Sequence, residues 1–308
     1  MQLIFQIKEK YNNEIIPRLG GLAIYIAFLI SYMIFGKTTD TMNSVLIASF
    51  LIILIGIMDD IKPLDAKTKF LVQIVAGLVL MFHGGLVISF LEAFDMNVQF
   101  GILKYPITLF FILGCINCLN FIDGIDGLAA GVSSIYFITI SIVIIIIGNP
   151  GIDFTISTIM IGATLGFLVY NFNPASIFMG DTGSTFLGMI IAVVTLLGFK
   201  AVTLTSLFIP LILLTIPILD TFFAIGRRAL KKESISKPDK LHIHHQLLNK
   251  NLSQRSVVLI IYGINALFSL AIILFVLKYV LVSYILYTIL LIVITLFIVK
   301  TDVLFSRK

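Results

Sequence analysis

An all-α, polytopic integral membrane protein is the fold class this sequence predicts, and three observations carry that expectation. Hydrophobic residues fill 59% and charged residues only 12% of the 308 positions, a balance far from that of soluble domains. The mean hydropathy is +1.11. Apolar runs approaching the roughly 20 residues that cross a bilayer as a helix recur along the chain between short polar breaks. Helices follow from such runs because a backbone in lipid must satisfy its polar groups within its own segment.

Taken in order, runs bounded by charge, Gly, Pro or Asn give ten spans: Gly21–Phe35, Ser44–Met58, Phe70–Phe82, Tyr105–Ile122, Leu128–Ile147, Thr155–Tyr170, Ser184–Leu197, Val202–Ile225, Val257–Leu277 and Tyr279–Val299. Several are short for a bilayer, so their ends are expected to extend into flanking residues. Leu86–Leu103, with Glu92 and Asp95, is less apolar and is expected to lie along the membrane interface. Met1–Ile7 is too short for the apolar core of a signal peptide and runs into Lys8-Glu9-Lys10. With no repeat and no low-complexity linker, residues 1–308 read as a single transmembrane domain.

Ten spans place alternate loops on opposite sides, and cations decide which side is cytoplasmic. The N-terminal arm, the second loop, the long eighth loop and the C-terminal tail hold 17 of the 21 Lys and Arg; the other side holds Lys37, Lys104, Lys200 and Lys278. That bias sets the first group, and both termini, inside. The formal charge of +5 fits anionic lipid and substrate better than nucleic acid, because the cations are confined to short loops of an apolar chain. Cys115 and Cys118 lack partners at zinc spacing and read as core residues.

The cytoplasmic side also collects the polar groups without an obvious structural task. Asp59 and Asp60 close the second span, where adjacent carboxylates repel each other and oppose the helix dipole. A cation is expected beside them, either Lys62, Lys67 or Lys69, or a divalent metal. Asn117-Cys118-Leu119-Asn120-Phe121-Ile122-Asp123-Gly124-Ile125-Asp126-Gly127 follows the fourth span and is either a tight polar turn or a ligand wall. In the sixth loop, Asp181 or Thr182 caps the next helix or, beside free N–H groups and Gly180 and Gly183, holds phosphate and metal. Phe178 there either packs against a neighbour or stacks on a base. His242, His244 and His245 gather in the eighth loop without a flanking cysteine, which disfavours a dedicated zinc site. Asp220 lies about two turns inside the eighth span, either paired with a neighbouring helix or functional. Acids in this number at one membrane face suit magnesium, with manganese an alternative, and magnesium accompanies phosphate; phosphoryl transfer at headgroup level fits. A secondary transporter would instead place its ionisable groups near the midplane.

Arg18-Leu19-Gly20-Gly21 after Pro17, Met58-Asp59-Asp60 followed by Lys67, Asn120-Phe121-Ile122-Asp123-Gly124-Ile125-Asp126-Gly127-Leu128, Phe178-Met179-Gly180-Asp181-Thr182-Gly183-Ser184 and His242-Ile243-His244-His245 occur in this order. Together, from about Pro17 to Leu248, they resemble the polyprenyl-phosphate N-acetylhexosamine-1-phosphate transferases of glycosyltransferase family 4. The resemblance implies an enzyme of the bacterial inner (plasma) membrane with a cytoplasmic active site. It would move a sugar 1-phosphate from a UDP-N-acetylhexosamine to undecaprenyl phosphate with Mg²⁺ and release UMP, as the first membrane step of a cell-envelope glycopolymer. Asp181, Asp59 and Asp60 are then expected at the metal, with Asp59 or Asp60 as the base. Asp123 and Asp126 match the acids of the nucleotide wall, His244 and His245 the histidine pair near the diphosphate. Lys67, Asn117, Asn120, Phe178 and His242 are the expected substrate contacts, Phe178 against uracil. The histidine pattern and the following Leu-Leu-Asn-Lys-Asn-Leu-Ser look more like the branch that uses UDP-N-acetylglucosamine for teichoic acid, O-antigen or common-antigen chains than like the peptidoglycan branch. A homodimer is among the assemblies the resemblance allows. Two departures stand out: relatives usually carry one more helix before the Arg-Leu-Gly-Gly segment, and Gln246 replaces the usual basic residue after the histidine pair.

Overall fold

A computed structural model describes residues 6–8, 15–93, 96–199 and 252–300. Among these residues nine helices form the molecule: α1 Gly20–Phe35, α2 Asp40–Ile61, α3 Ala66–Leu78, α4 Lys104–Ile122, α5 Leu128–Ile147, α6 Ile152–Asn171, α7 Gly180–Phe199, α8 Gln254–Val276 and α9 Val280–Lys300. Seven of the described helices are long and apolar enough to cross a membrane; α3 reaches that length with the wider turn Val79–His83, and α4 with the tight turn Gly101–Leu103. α1 is a shorter apolar helix, as is the Val280–Leu296 part of α9. Each predicted span coincides with one of the nine helices except Val202–Ile225, which lies outside the described residues.

Local chemistry sets the ends. Thr39 accepts a hydrogen bond from the Met42 N–H and caps α2, while Pro63 follows its last turn and stops it. Ser253 caps α8 by accepting from the Ser256 N–H. α5 runs between two glycines in left-handed conformation, Gly127 and Gly148. Two small hairpins interrupt the helical pattern. β1 (Gln6–Lys8) pairs antiparallel with β2 (Ile15–Pro17), with Ile7 opposite Ile16. β3 (Phe90–Ala93) pairs antiparallel with β4 (Met96–Gln99), so the stretch expected to lie along the interface folds back on itself.

α7 is the central helix. Of its membrane-crossing window, 83% is buried, against α1, α2, α4, α5 and α6. Phe186 of α7 meets Tyr25 and Phe28 of α1 edge-on, at 5.4 and 5.5 Å between ring centres. Neutral hydrogen bonds tie the surrounding helices together. Ser134 donates to Thr164 (α5 to α6), Tyr136 bonds Thr195 (α5 to α7) and Thr139 donates to Ser269 (α5 to α8), each at 2.8 Å. Such bonds contribute about 0.6 kcal/mol each within a membrane, so they fix rotation and register more than overall stability.

The start of α1 crosses the start of α7 at backbone contact. A Cβ on Gly21 would lie 2.2 Å from the Gly183 nitrogen and 2.6 Å from its Cα. No flexible side chain is there to yield. Gly21→Ala is therefore expected to lower the apparent Tm of the detergent-purified protein by several degrees, in line with about 1–3 kcal/mol for overpacking. Gly162→Ala on α6, where a Cβ meets open space, should leave it unchanged, as differential scanning fluorimetry would show.

Candidate active site

The polar ends of α1, α2, α3, α4, α6, α7 and α8 converge at one end of the bundle. The link between α2 and α7 comes first. Asp60, in the last turn of α2, accepts hydrogen bonds from the Asp181 N–H at 3.0 Å, the Thr182 N–H at 3.1 Å and the Thr182 hydroxyl at 2.6 Å. Its side chain is 1% exposed, and an Arg18 guanidinium nitrogen lies 4.0 Å away. A carboxylate in this position opposes the dipole of its own helix, yet it caps the orphan N–H groups of α7 and faces the favourable end of that helix. Asp60 thus does for α7 what the sequence offered to Asp181 or Thr182. Gly180 makes this approach feasible: its φ is +69°, and a Cβ would lie 2.5 Å from an Asp60 oxygen.

Asp59 faces a different set of partners. Its Oδ1 accepts from the Leu64 N–H at 2.7 Å, which fixes the turn between α2 and α3, and its Oδ2 accepts from Lys69 Nζ at 3.0 Å. The same ammonium donates to Asp181 Oδ2 at 2.9 Å. Lys69 therefore bridges α2 and α7 from the first turns of α3. Lys67, which the resemblance placed at the substrate, is exposed on the same helix. Lys69 shares a face with Gln73, one helical turn on. Gln73 is 5% exposed and accepts from the Asn117 amide at 2.8 Å. Asn117 also donates to the Leu113 carbonyl, so its amide joins α4 to α3. Asn120, one turn nearer the site, donates to Ser184 of α7 at 2.9 Å.

The segment after α4 is held from outside at the end that leads into α5. Asp126 is buried, and its Oδ2 accepts from the Asn173 amide at 2.9 Å and the Ala175 N–H at 3.1 Å. Asn173 donates to Gln254 at the start of α8, and its carbonyl accepts from Arg255 at 2.7 Å. The Gly127 N–H donates to buried Asn171, and its carbonyl accepts from the Tyr262 hydroxyl. Asn171, Asn173, Gln254, Arg255 and Tyr262 were not singled out from sequence, although Asn-Phe-Asn-Pro between apolar runs marked the loop. Phe178 is half-buried, and its backbone pairs with the start of α1: its N–H donates to the Pro17 carbonyl at 2.9 Å and its carbonyl accepts from Gly20 at 3.0 Å.

Asp123, the first residue past α4, carries the clearest electrostatic signature. Burial, then the negative charges of Asp181 and Asp60, push its carboxyl up to about 7, while Arg18 pulls the other way. His242, His244, His245 and Asp220 lie outside the described residues. Among the described residues no three His, Cys, Asp or Glu converge closely enough to hold a metal by themselves. The closest approach to a cation site is the pair of oxygens from Asp59 and Asp181 that the Lys69 ammonium bridges.

A model of glycosyl transferase family 4 matches residues 42–199, a range that contains Asp59, Asp60, Lys69, Asp123, Asp126 and Asp181. A probable undecaprenyl-phosphate N-acetylglucosaminyl 1-phosphate transferase of Bacillus subtilis is 44% identical over 269 residues, 86% of this chain and 75% of that protein. A decaprenyl-phosphate N-acetylglucosaminephosphotransferase of Mycolicibacterium smegmatis is 35% identical over 290 residues, 80% and 68% of the two chains. A phospho-N-acetylmuramoyl-pentapeptide-transferase of Staphylococcus carnosus is 31% identical over 253 residues, 76% and 78%.

A raised acid pKa sets a stability trend. Between the unfolded value near 3.9 and the folded value of about 7, the folded chain binds the Asp123 proton more tightly than the unfolded chain. Its contribution is thus favourable at low pH and is lost as pH rises through 7. Asp123→Asn should match the parent in thermal unfolding near pH 4 and exceed it increasingly up to pH 8, by about 2–4 °C for each kcal/mol relieved. Parallel curves at both pH values would remove Asp123 as a proton-holding group.

Proposed function

Because this chain belongs to glycosyl transferase family 4, we propose that it transfers N-acetylglucosamine 1-phosphate from UDP-N-acetylglucosamine to undecaprenyl phosphate, releasing UMP. It is a multi-pass membrane phosphotransferase. The observation that carries the reading is the meeting of Asp59, Asp60, Asp181 and Lys69 at one end of the bundle, within the residues the family model matches. We place that end at the cytoplasmic face of a bacterial plasma membrane, on the side that holds most of the Lys and Arg. We take residues 1–308 as one domain. The product would begin a cell-envelope glycopolymer.

The donor set fits magnesium, which keeps several waters and takes one or two carboxylates together with substrate phosphates. Asp181 and Asp59 would hold it, since the Lys69 ammonium already occupies the space between their oxygens as a stand-in cation. When bound, the metal supplies charge neutralisation at the diphosphate and at the transferring phosphorus.

The protein groups divide the remaining work. The lipid phosphate oxygen forms a bond to the β-phosphorus of the UDP-sugar, and the bond from that phosphorus to the oxygen bridging to UMP breaks. Asp59 would keep the attacking phosphate ionised by holding the metal beside it through Oδ2, the oxygen that meets the Lys69 ammonium. Asp60 cannot share that task. Both of its oxygens accept hydrogen bonds from α7, so it positions Asp181. Arg18, with its side chain 35% exposed beside Asp60, offers a cation to phosphate oxygens. Asp123 and Asn120 line the wall toward the nucleotide, and Phe178 is assigned to uracil. His242, His244 and His245 are assigned to the diphosphate.

Purified protein incubated with undecaprenyl phosphate, Mg²⁺ and a panel of UDP-sugars tests the reading, with the lipid product identified by mass. UDP-N-acetylglucosamine should be the substrate turned over. Asp59→Asn should lower the rate by about 10²–10³, the usual loss when one charge-stabilising group is removed. Asp181→Asn should abolish most UMP release. Asp60→Asn keeps one oxygen but sets its amide N–H against an α7 donor, so it should lower the Tm while the rate per folded molecule stays within about tenfold of the parent, whereas Asp60→Ala, which removes the cap at a cost of about 0.5–2 kcal/mol, should lose folded protein. Equal losses in Asp59→Asn and Asp60→Asn would undo the division of roles.

A further inference from the structure

Lys69 is placed where a second cation cannot coexist with it. Its ammonium lies 3.0 Å from Asp59 Oδ2 and 2.9 Å from Asp181 Oδ2. The other Asp59 oxygen is engaged by the Leu64 N–H, so Oδ2 is the one that faces the site. A divalent ion engaging that oxygen and Asp181 Oδ2 would sit within a few ångströms of the ammonium, a distance at which like charges repel strongly outside bulk water.

Resting on the transferase reading and its metal, we infer that Lys69 is an internal cation that holds the metal position in the metal-free protein and exchanges with the incoming divalent ion. Three features permit the exchange. Asp59 stays fixed when the ammonium leaves, because the bond from Leu64 restrains it independently. Asp181 stays fixed because its own N–H is bound to Asp60. Lys69 itself has a flexible four-carbon stem and a compact charge, with its side chain 29% exposed. The displaced ammonium is then free to meet phosphate oxygens delivered with the metal. Before exchange it cancels part of the repulsion between the two carboxylates, so the helix ends remain assembled without substrate. Lys69 is on this account a positioning residue whose charge sets the metal affinity.

The test uses the full chain in detergent, with Mn²⁺ as the probe and free Mn²⁺ followed by electron paramagnetic resonance, without nucleotide. Lys69→Met and Lys69→Gln remove the competing charge and should bind Mn²⁺ about tenfold or more tightly than the parent, whereas Lys69→Arg should stay close to it. In turnover, the Mg²⁺ concentration giving half-maximal UMP release should fall by a similar factor in Lys69→Gln while the maximal rate also falls. A residue that only held the fold together would lower the rate without tightening metal binding. Mn²⁺ affinities in both neutral variants equal to or weaker than the parent's would overturn the exchange and leave the transferase reading intact. Failure of every form to bind Mn²⁺, with UMP release that survives EDTA, would overturn the metal assignment and the exchange together.

Discussion

The hydrogen bonds from the first turn of α7 to Asp60 are the constraint on which the rest of the site depends. An acid at the C-terminal end of a helix is unfavourable to that helix, and a helix start buried at the centre of a bundle leaves N–H groups without partners. Each problem resolves the other when α2 ends where α7 begins. The contact fixes the two helices axially. It places Asp181 opposite Asp59, so one ammonium from α3 reaches both, and it brings Arg18 of the α1 start to the same point. Backbone pairing between Pro17, Gly20 and Gly21 and the Phe178–Met179 strand of the sixth loop closes the arrangement.

The acids gathered there are consequently unequal. Asp60 and Asp126 are buried and bound to backbone N–H groups, the first at the start of α7 and the second in the sixth loop. Asp59 and Asp181 share a cation and face the opening. Burial, and then the charges of Asp181 and Asp60, raise the Asp123 carboxyl to about 7. A cluster that looks from its composition like a single metal cage is a scaffold pair, a cation pair and a titrating group.

Much of the fold was legible because a bilayer permits few solutions: apolar runs of the right length had to be helices. Helix ends shifted by a few residues, as for α2, where the predicted Ser44–Met58 became Asp40–Ile61, since a polar cap adds turns that hydropathy does not register. The hairpins escaped notice because Phe90–Ala93 and Met96–Gln99 are too short to show a clear alternation. At the site, residue types and order pointed to the right elements. What the spacing could not separate was Asp59 from Asp60, or Lys67 from Lys69, because those choices are made by which side chain α7 meets. Likewise, the pairing of Asn171 with Gly127 and of Asn173 with Asp126 joins segments 44 and 47 residues apart, and no local pattern encodes such contacts.

The distribution of polarity through the bundle bears on what this end of it can be for. A transporter needs a path for charge across the membrane, with ionisable groups along it. Among the described residues, the polar side chains inside the helices are hydroxyls and amides, several of them joined in short local pairs such as Ser134 with Thr164 and Thr139 with Ser269. Asp40 and Asp153 sit in the first turns of α2 and α6, at the bundle end opposite Asp60 and Asp181. Among the described residues, Asp59, Asp60 and Asp181 thus gather at one end of the bundle, above an interior of neutral side chains. A polar end assembled from many helices in this way is suited to holding two phosphates in line.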